Sequence, residues 1–109
     1  MKKLLFLGLF LSMDTLASGW TGLQDIQRVM QRECTPSNKG FEITFAADHK
    51  NPDNCPHLRT VNLACDQPGY DTMVSMALTA LAANKKIDAW VGSCDTEGHA
   101  NVSTLVIYQ

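Results

Sequence analysis

Four cysteines constrain the fold of this chain more than any other feature. They are Cys34, Cys55, Cys65 and Cys94. An even number of cysteines in a short segment is typical of small exported domains, which compensate for a limited hydrophobic core with disulfides. We therefore predict two disulfides. Each would contribute about 3–4 kcal/mol by restricting the unfolded chain.

The N-terminal segment has the composition of a secretory signal. Two lysines precede an apolar run, Leu4 to Leu11, and small residues surround Ala17 and Gly19. The run is shorter than the about 20 residues that a membrane-spanning helix needs. We predict a Sec-type signal peptide at residues 1–19 and one domain at 20–109, in a secreted or periplasmic bacterial protein. An uncleaved anchor is the alternative.

Charge and hydropathy exclude two classes of partner. The formal net charge is -2, and no basic stripe with interleaved aromatic residues occurs. Nucleic acid is therefore not an expected partner. After the signal there is no second long apolar stretch, so we expect no stable membrane insertion once the signal is cleaved.

Alternation of apolar and polar residues predicts several short strands. The clearest is Phe41–Phe45, and others are predicted at Leu58–Cys65, Lys86–Ser93 and Asn101–Tyr108. The segment Leu23–Glu33 fits a helical period and also one face of an edge strand. The turn-forming residues that follow it favour a strand.

One helix is predicted between the third and fourth strands. Tyr70, Met73, Ala77 and Leu81 recur at helical spacing, and Asn84 suits the C-terminal end. The fold class is therefore mainly β with one helix. The chain order β-β-β-α-β-β is that of a five-stranded OB-like barrel. A generic α+β sheet with a helix on one face is the alternative.

This strand order predicts how the cysteines pair. In a meander of the first three strands, the end of the first lies near the end of the third, which brings Cys34 close to Cys65. If the fourth strand pairs antiparallel with the first, its end lies near the loop between strands two and three. Cys94 then lies close to Cys55. Of the three pairings that four cysteines allow, the barrel most easily permits Cys34–Cys65 with Cys55–Cys94.

The layout of the chain resembles two groups of exported proteins. With Trp20 to Gly22 near the mature start and a single helix before a terminal hairpin, it resembles the B subunits of subtilase cytotoxin and pertussis-like toxins. It also resembles small exported bacterial proteins of unknown function, through the turn Asn51–Cys55, the helix Met73–Ala83 and a late Cys94. We place it with the second group first. The toxin resemblance implies an OB-fold, ring assembly and recognition of sialylated glycans.

The segment His49–His57 holds the residues most suggestive of chemistry. His49, Asp53, Cys55 and His57 could each bind zinc, but their spacing matches no zinc signature, and a disulfide would remove Cys55 as a thiolate ligand. We interpret the segment as a proline-stiffened turn fixed by a disulfide.

The remaining acidic pairs lie in polar turns, where we interpret them as solvated. Asp95 with Glu97 and Asp48 with Asp53 are examples. We therefore predict no catalytic residue, no metal site and no cofactor.

Trp90 is the one candidate ligand-binding residue. If Ala89 and Val91 face the core, Trp90 faces outward, where an indole ring can stack on a sugar or contact a partner. We expect a non-enzymatic binding protein, similar to a toxin B subunit, that recognises a glycan or a protein, with a homo-oligomer as one option. The alternatives are a periplasmic inhibitor or immunity-type protein, and a small hydrolase or metal-dependent enzyme.

Overall fold

A computed structural model of the chain describes residues 17–35 and 39–109. Most of the predicted signal peptide, residues 1–16, lies outside the described residues. In the described part there are six strands and one helix, here called α1. They are β1 (Ser18–Trp20), β2 (Gln24–Gln31), β3 (Phe41–Phe45), β4 (Thr60–Leu63), α1 (Tyr70–Ala83), β5 (Lys86–Cys94) and β6 (Ala100–Tyr108).

The six strands form one closed sheet. β2 pairs antiparallel with β3, and β3 with β4. β4 pairs parallel with β6, and β6 antiparallel with β5. On its other side, β5 pairs antiparallel with β2 near its start and with β1 further along. The predicted fold class, mainly β with one helix, is therefore confirmed, with six strands in place of the predicted five.

The N-terminal segment that runs along β5 is divided into β1 and β2, and Thr21 and Gly22 lie between the two strands. The Thr21 amide donates to the Ala89 carbonyl at 2.8 Å, and the Ala89 amide donates to the Thr21 hydroxyl at 3.1 Å. Gly22 has φ of 88°, a left-handed conformation that glycine adopts at little steric cost. The segment Leu23–Glu33, whose sequence fits either a helix or a strand, forms strand β2. Strand β1 was not predicted.

Alternate residues of the strands fill the interior of the sheet. Fully buried side chains include Ile43, Phe45, Val61, Leu63, Ile87, Ala89 and Val91. Helix α1 covers part of this core and buries Met73, Ala77 and Ala80. The helix ends at Asn84, whose left-handed φ of 57° lets its amide donate back to the last carbonyls. Within the described ranges, no helix is long and apolar enough to cross a membrane.

Both disulfides have the predicted pairing. Cys34–Cys65 joins the segment after β2 to the segment after β4, and Cys55–Cys94 joins the β3–β4 loop to the end of β5. Cys34–Cys65 thus connects the two ends of the β2–β3–β4 meander, whereas Cys55–Cys94 connects segments that meet through the pairing of β6 with β4 and β5. Gly40, just before β3, also lies close to the end of β4. It has φ of 103°, and a Cβ added there would meet the Leu63 carbonyl oxygen.

Candidate functional site

Trp90 lies on the outer surface of the closed sheet, as its strand alternation predicts. Its neighbours Ala89 and Val91 are fully buried, whereas Trp90 is partly exposed. It pairs across the strands with Trp20, and the two indole rings meet edge to face with centroids 5.2 Å apart. Trp20 is 42% exposed. The two residues therefore form an aromatic patch that water can reach.

A groove of about 410 Å³ lies beside this patch, and we call it the Trp90 groove. Its nine lining residues are all uncharged: Ser18, Ala64, Gln67, Trp90, Gly92, Ser93, Asn101, Val102 and Ser103. The Asn101 amide donates to the Ser93 hydroxyl at 2.9 Å, which fixes both polar groups beside the ring. The groove thus combines an indole surface with neutral hydrogen-bonding groups.

The described lining of the Trp90 groove offers hydrogen-bonding groups but no general base for its serines. A serine nucleophile needs a base within hydrogen-bond reach. The described residues that line the Trp90 groove include neither a histidine nor a carboxylate. Hydroxyl and amide groups beside an aromatic ring instead match a ligand that has an apolar face and many hydroxyls.

A second cavity, of about 160 Å³, adjoins the first and differs from it in charge. The two cavities share Ala64 and Asn101, and the second is also lined by Lys39, Asn62, Asp95, Thr96 and Glu97. Next to it lies a group of charged and titratable side chains that we call the polar cluster. Its members are Arg32, Glu42, Asp95, Glu97 and His99.

Arg32 joins two carboxylates of the polar cluster. Its Nη1 donates to Glu42 Oε2 at 2.6 Å and also to Glu97 Oε1, while its Nη2 donates to Glu97 Oε2 at 3.1 Å. The hydrogen bond from Arg32 lowers the pKa of Glu97 to about 2, and the same bond raises the pKa of Arg32. Both side chains therefore remain charged across the physiological pH range.

His99 occupies the buried side of the polar cluster. Its Nδ1 lies 3.1 Å from Asp95 Oδ2, and its backbone amide donates to Asp95 Oδ1 at 2.8 Å. Its Nε2 faces Glu42 Oε2 at 3.8 Å, beyond hydrogen-bond distance. The His57 ring stacks on the His99 ring, with centroids 4.1 Å apart. His99 is thus held firmly in one orientation.

The residues considered for zinc in the segment His49–His57 have separate partners. His49 is buried, contacts the ring of Phe45 edge to face, and bonds through Nδ1 with the Lys50 carbonyl at 2.7 Å. Asp53 accepts hydrogen bonds from the backbone amides of Ala17 and Ser93.

Cys55 is in the disulfide with Cys94, so it offers no thiolate. Among the residues that the structure describes, the three-residue group with converging ligand atoms is instead Glu42, Glu97 and His99. It shares no member with the set His49, Asp53, Cys55 and His57.

Sequence reasoning predicted the outward position of Trp90 but missed the polar cluster. Asp95 and Glu97 were interpreted as solvated loop acids, but Asp95 orients His99 and Glu97 pairs with Arg32. One signal was available, because antiparallel pairing of the segment Leu23–Glu33 with Phe41–Phe45 can place Arg32 near Glu42, as the register of Gln31 opposite Phe41 does. The contribution of residues 95–99 depends on closure of the sheet, which no local pattern reveals.

Comparisons with known proteins identify no relative. No protein-family model, no characterised protein sequence and no solved structure matches the chain. Its function must therefore be inferred from the geometry of the two cavities and the groups around them.

Proposed function

We propose that this chain is an exported, non-enzymatic binding protein that takes a neutral glycan into the Trp90 groove. The observation that carries the proposal is the lining of the groove, in which an indole ring lies among uncharged polar side chains. Two disulfides support export, because such bonds persist in oxidising compartments.

A sugar fits this lining better than most other ligands. One face of a pyranose ring is largely apolar and can stack on Trp90, while its hydroxyl groups point sideways. Ser18, Ser93 and Asn101 supply donors and acceptors at that level. Without a charged group in the lining, the groove gives no advantage to a carboxylate-bearing sugar. We therefore propose a neutral unit in place of the sialylated glycan implied by the toxin resemblance.

The resemblance of the sequence layout to toxin B subunits is a further reason to propose this class of function. Those subunits assemble as rings, and an assembly of this chain would require an apolar contact surface. Leu78 and Leu81 on α1 and Tyr108 at the end of β6 are exposed and could supply such a surface. A homo-oligomer that presents several copies of the groove would raise the apparent affinity for a multivalent glycan.

Glycan-array binding followed by calorimetry tests this proposal. We expect Trp90→Ala to weaken binding of the best array ligand at least tenfold, because stacking and apolar burial on the indole are lost. The control is Met30→Ala, which removes an exposed apolar side chain that does not line the groove and should leave binding unchanged. An array without a ligand, or equal binding by Trp90→Ala, would contradict the proposal.

A second candidate function is inhibition of an enzyme through the β3–β4 loop. Leu58 in this loop is 51% exposed, and the Cys55–Cys94 disulfide fixes the loop to β5. A rigid loop with an exposed apolar side chain is a feature of many protein inhibitors, because little entropy is lost on binding. Stoichiometric inhibition of a co-encoded enzyme, abolished by Leu58→Asp, would support this function over the first.

A further inference from the structure

We propose that Glu42, Glu97 and His99 form a binding site for a divalent transition metal of the zinc type. This site is separate from the Trp90 groove, and the proposal does not depend on glycan binding. One ligand atom from each of the three side chains lies within 4.8 Å of the other two. An imidazole nitrogen with two carboxylate oxygens is a ligand set that zinc accepts, at distances of about 2 Å.

The environment of His99 resembles that of a metal ligand. In metal sites, a ligating histidine usually donates its other ring N–H to a carboxylate, which fixes its tautomer and orientation. Asp95 Oδ2 stands 3.1 Å from His99 Nδ1 and can accept that proton. The Nε2 lone pair then faces the Glu42 carboxylate at 3.8 Å, an arrangement of two acceptors that a cation between them would stabilise.

An unpartnered buried amide gives independent support. Asn62 lies directly opposite Glu42 on the neighbouring strand, so both side chains are on the same face of the sheet. It is 3% exposed and lines the second cavity together with Glu97. Its Oδ1 has no hydrogen-bond partner within the described residues. A buried carbonyl oxygen without a donor is costly, and a cation in this cavity would compensate for it.

The charges around the site leave an excess of negative charge. Glu42, Asp95 and Glu97 contribute three carboxylates, whereas Arg32 and Lys39 contribute two cations. One of these three carboxylates therefore has no matching cation among the arginine and lysine side chains of the site. Arg32 bonds both candidate carboxylate ligands through the same Nη1. An entering metal ion must therefore compete with Arg32 for these carboxylates, so metal affinity at this site should depend on Arg32.

Calorimetry of the untagged, chelator-treated protein with zinc chloride tests the proposal. We expect one ion per chain, and a dissociation constant at least tenfold higher for His99→Gln. The comparison is His57→Gln, which removes an exposed ring that stacks on His99 but supplies no ligand atom, so its loss of affinity should be clearly smaller. Asp95→Asn should weaken binding by about 10–100-fold, the usual effect of removing a partner of a histidine ligand. Absence of binding by the wild type would overturn the proposal.

Arg32→Gln should change the zinc affinity in the opposite direction. Removing the guanidinium frees both carboxylates, so zinc should bind this variant several-fold more tightly than the wild type. A metal held elsewhere would respond weakly or not at all. Unchanged or weaker binding by Arg32→Gln, or equal losses in His57→Gln and His99→Gln, would mean that the ion lies outside this site.

A measurement on the unmutated protein covers the case in which a variant fails to fold. In long-range proton–nitrogen NMR spectra, zinc should shift the His99 Nε2 signal and leave the signals of His49 unchanged. His49 is buried at a separate position, against Phe45. A shift at His57 or His49 without a shift at His99 would contradict the assignment.

Discussion

Glu97 is a partly exposed carboxylate whose pKa is lowered chiefly by Arg32. The hydrogen bond from Arg32 lowers its pKa from 4.5 to about 2 in the folded protein. A lowered pKa in the folded state means that the carboxylate stabilises the fold above pH 4.5. This contribution is lost as the pH falls from 4.5 towards 2.

Urea unfolding with chelator present tests this pH dependence. The wild type should be more stable than Glu97→Gln at pH 7, and the difference should shrink between pH 4.5 and pH 2. A difference that stays constant over this range would show that Glu97 does not titrate as the Arg32 contact implies.

Gly40 and Gly22 allow a matched comparison of two glycines with positive φ. At Gly40 an added Cβ would lie 2.0 Å from the Leu63 carbonyl oxygen, whereas at Gly22 its nearest neighbour would be the flexible Lys50 side chain at 4.0 Å. Gly22→Ala should cost about 1 kcal/mol of stability from backbone strain alone. Gly40→Ala should cost clearly more, because backbone atoms must also move. Equal losses in chemical unfolding would contradict this explanation.

At the scale of elements, β1 bears on the site of signal cleavage. Its residues Ser18, Gly19 and Trp20 pair with Gly92, Val91 and Trp90 of β5. Cleavage after Gly19 would remove two of the three paired residues and one wall of the Trp90 groove. We therefore expect the exported protein to retain Ser18. Intact mass spectrometry of material from the periplasm or medium would test this, and a chain beginning at Trp20 would contradict it.

Elements with a strong local pattern were predictable from sequence. The strand Phe41–Phe45 and the helix at Tyr70–Ala83 follow from periods of two and 3.6 residues. β1 was missed because three residues are too few to show alternation. The third strand was predicted at Leu58–Cys65 but is limited to Thr60–Leu63, since its pairing with β3 extends only from Thr60 to Leu63.

The same distinction applies to the candidate sites. Alternation along one strand predicts that Trp90 faces outward, and the structure agrees. The polar cluster could not be predicted as a unit, because Glu42 and His99 belong to segments that meet only through the parallel pairing of β4 with β6. A single sequence contains little information about such long-range strand pairing.

At the scale of the whole molecule, the two disulfides should contribute unequally. Their sequence separations are similar, 31 and 39 residues, so chain entropy predicts about 3–4 kcal/mol for each. Cys55 is also a fully buried core residue, whereas Cys34 is partly exposed. Replacing Cys55 and Cys94 by alanine should therefore cost more stability than replacing Cys34 and Cys65. Equal costs in urea unfolding would mean that packing around Cys55 contributes nothing.

Closure of the sheet also limits how this molecule can associate. Strands β2 to β6 each have hydrogen-bonded neighbours on both sides, and β1, which pairs with β5, is three residues long. Few backbone N–H and C=O groups of the strands therefore remain to pair with a strand of another chain, so growth into fibrils by edge pairing is disfavoured. Any assembly or partner must recognise side chains on the outer surface, where substitutions can change specificity without rebuilding the fold.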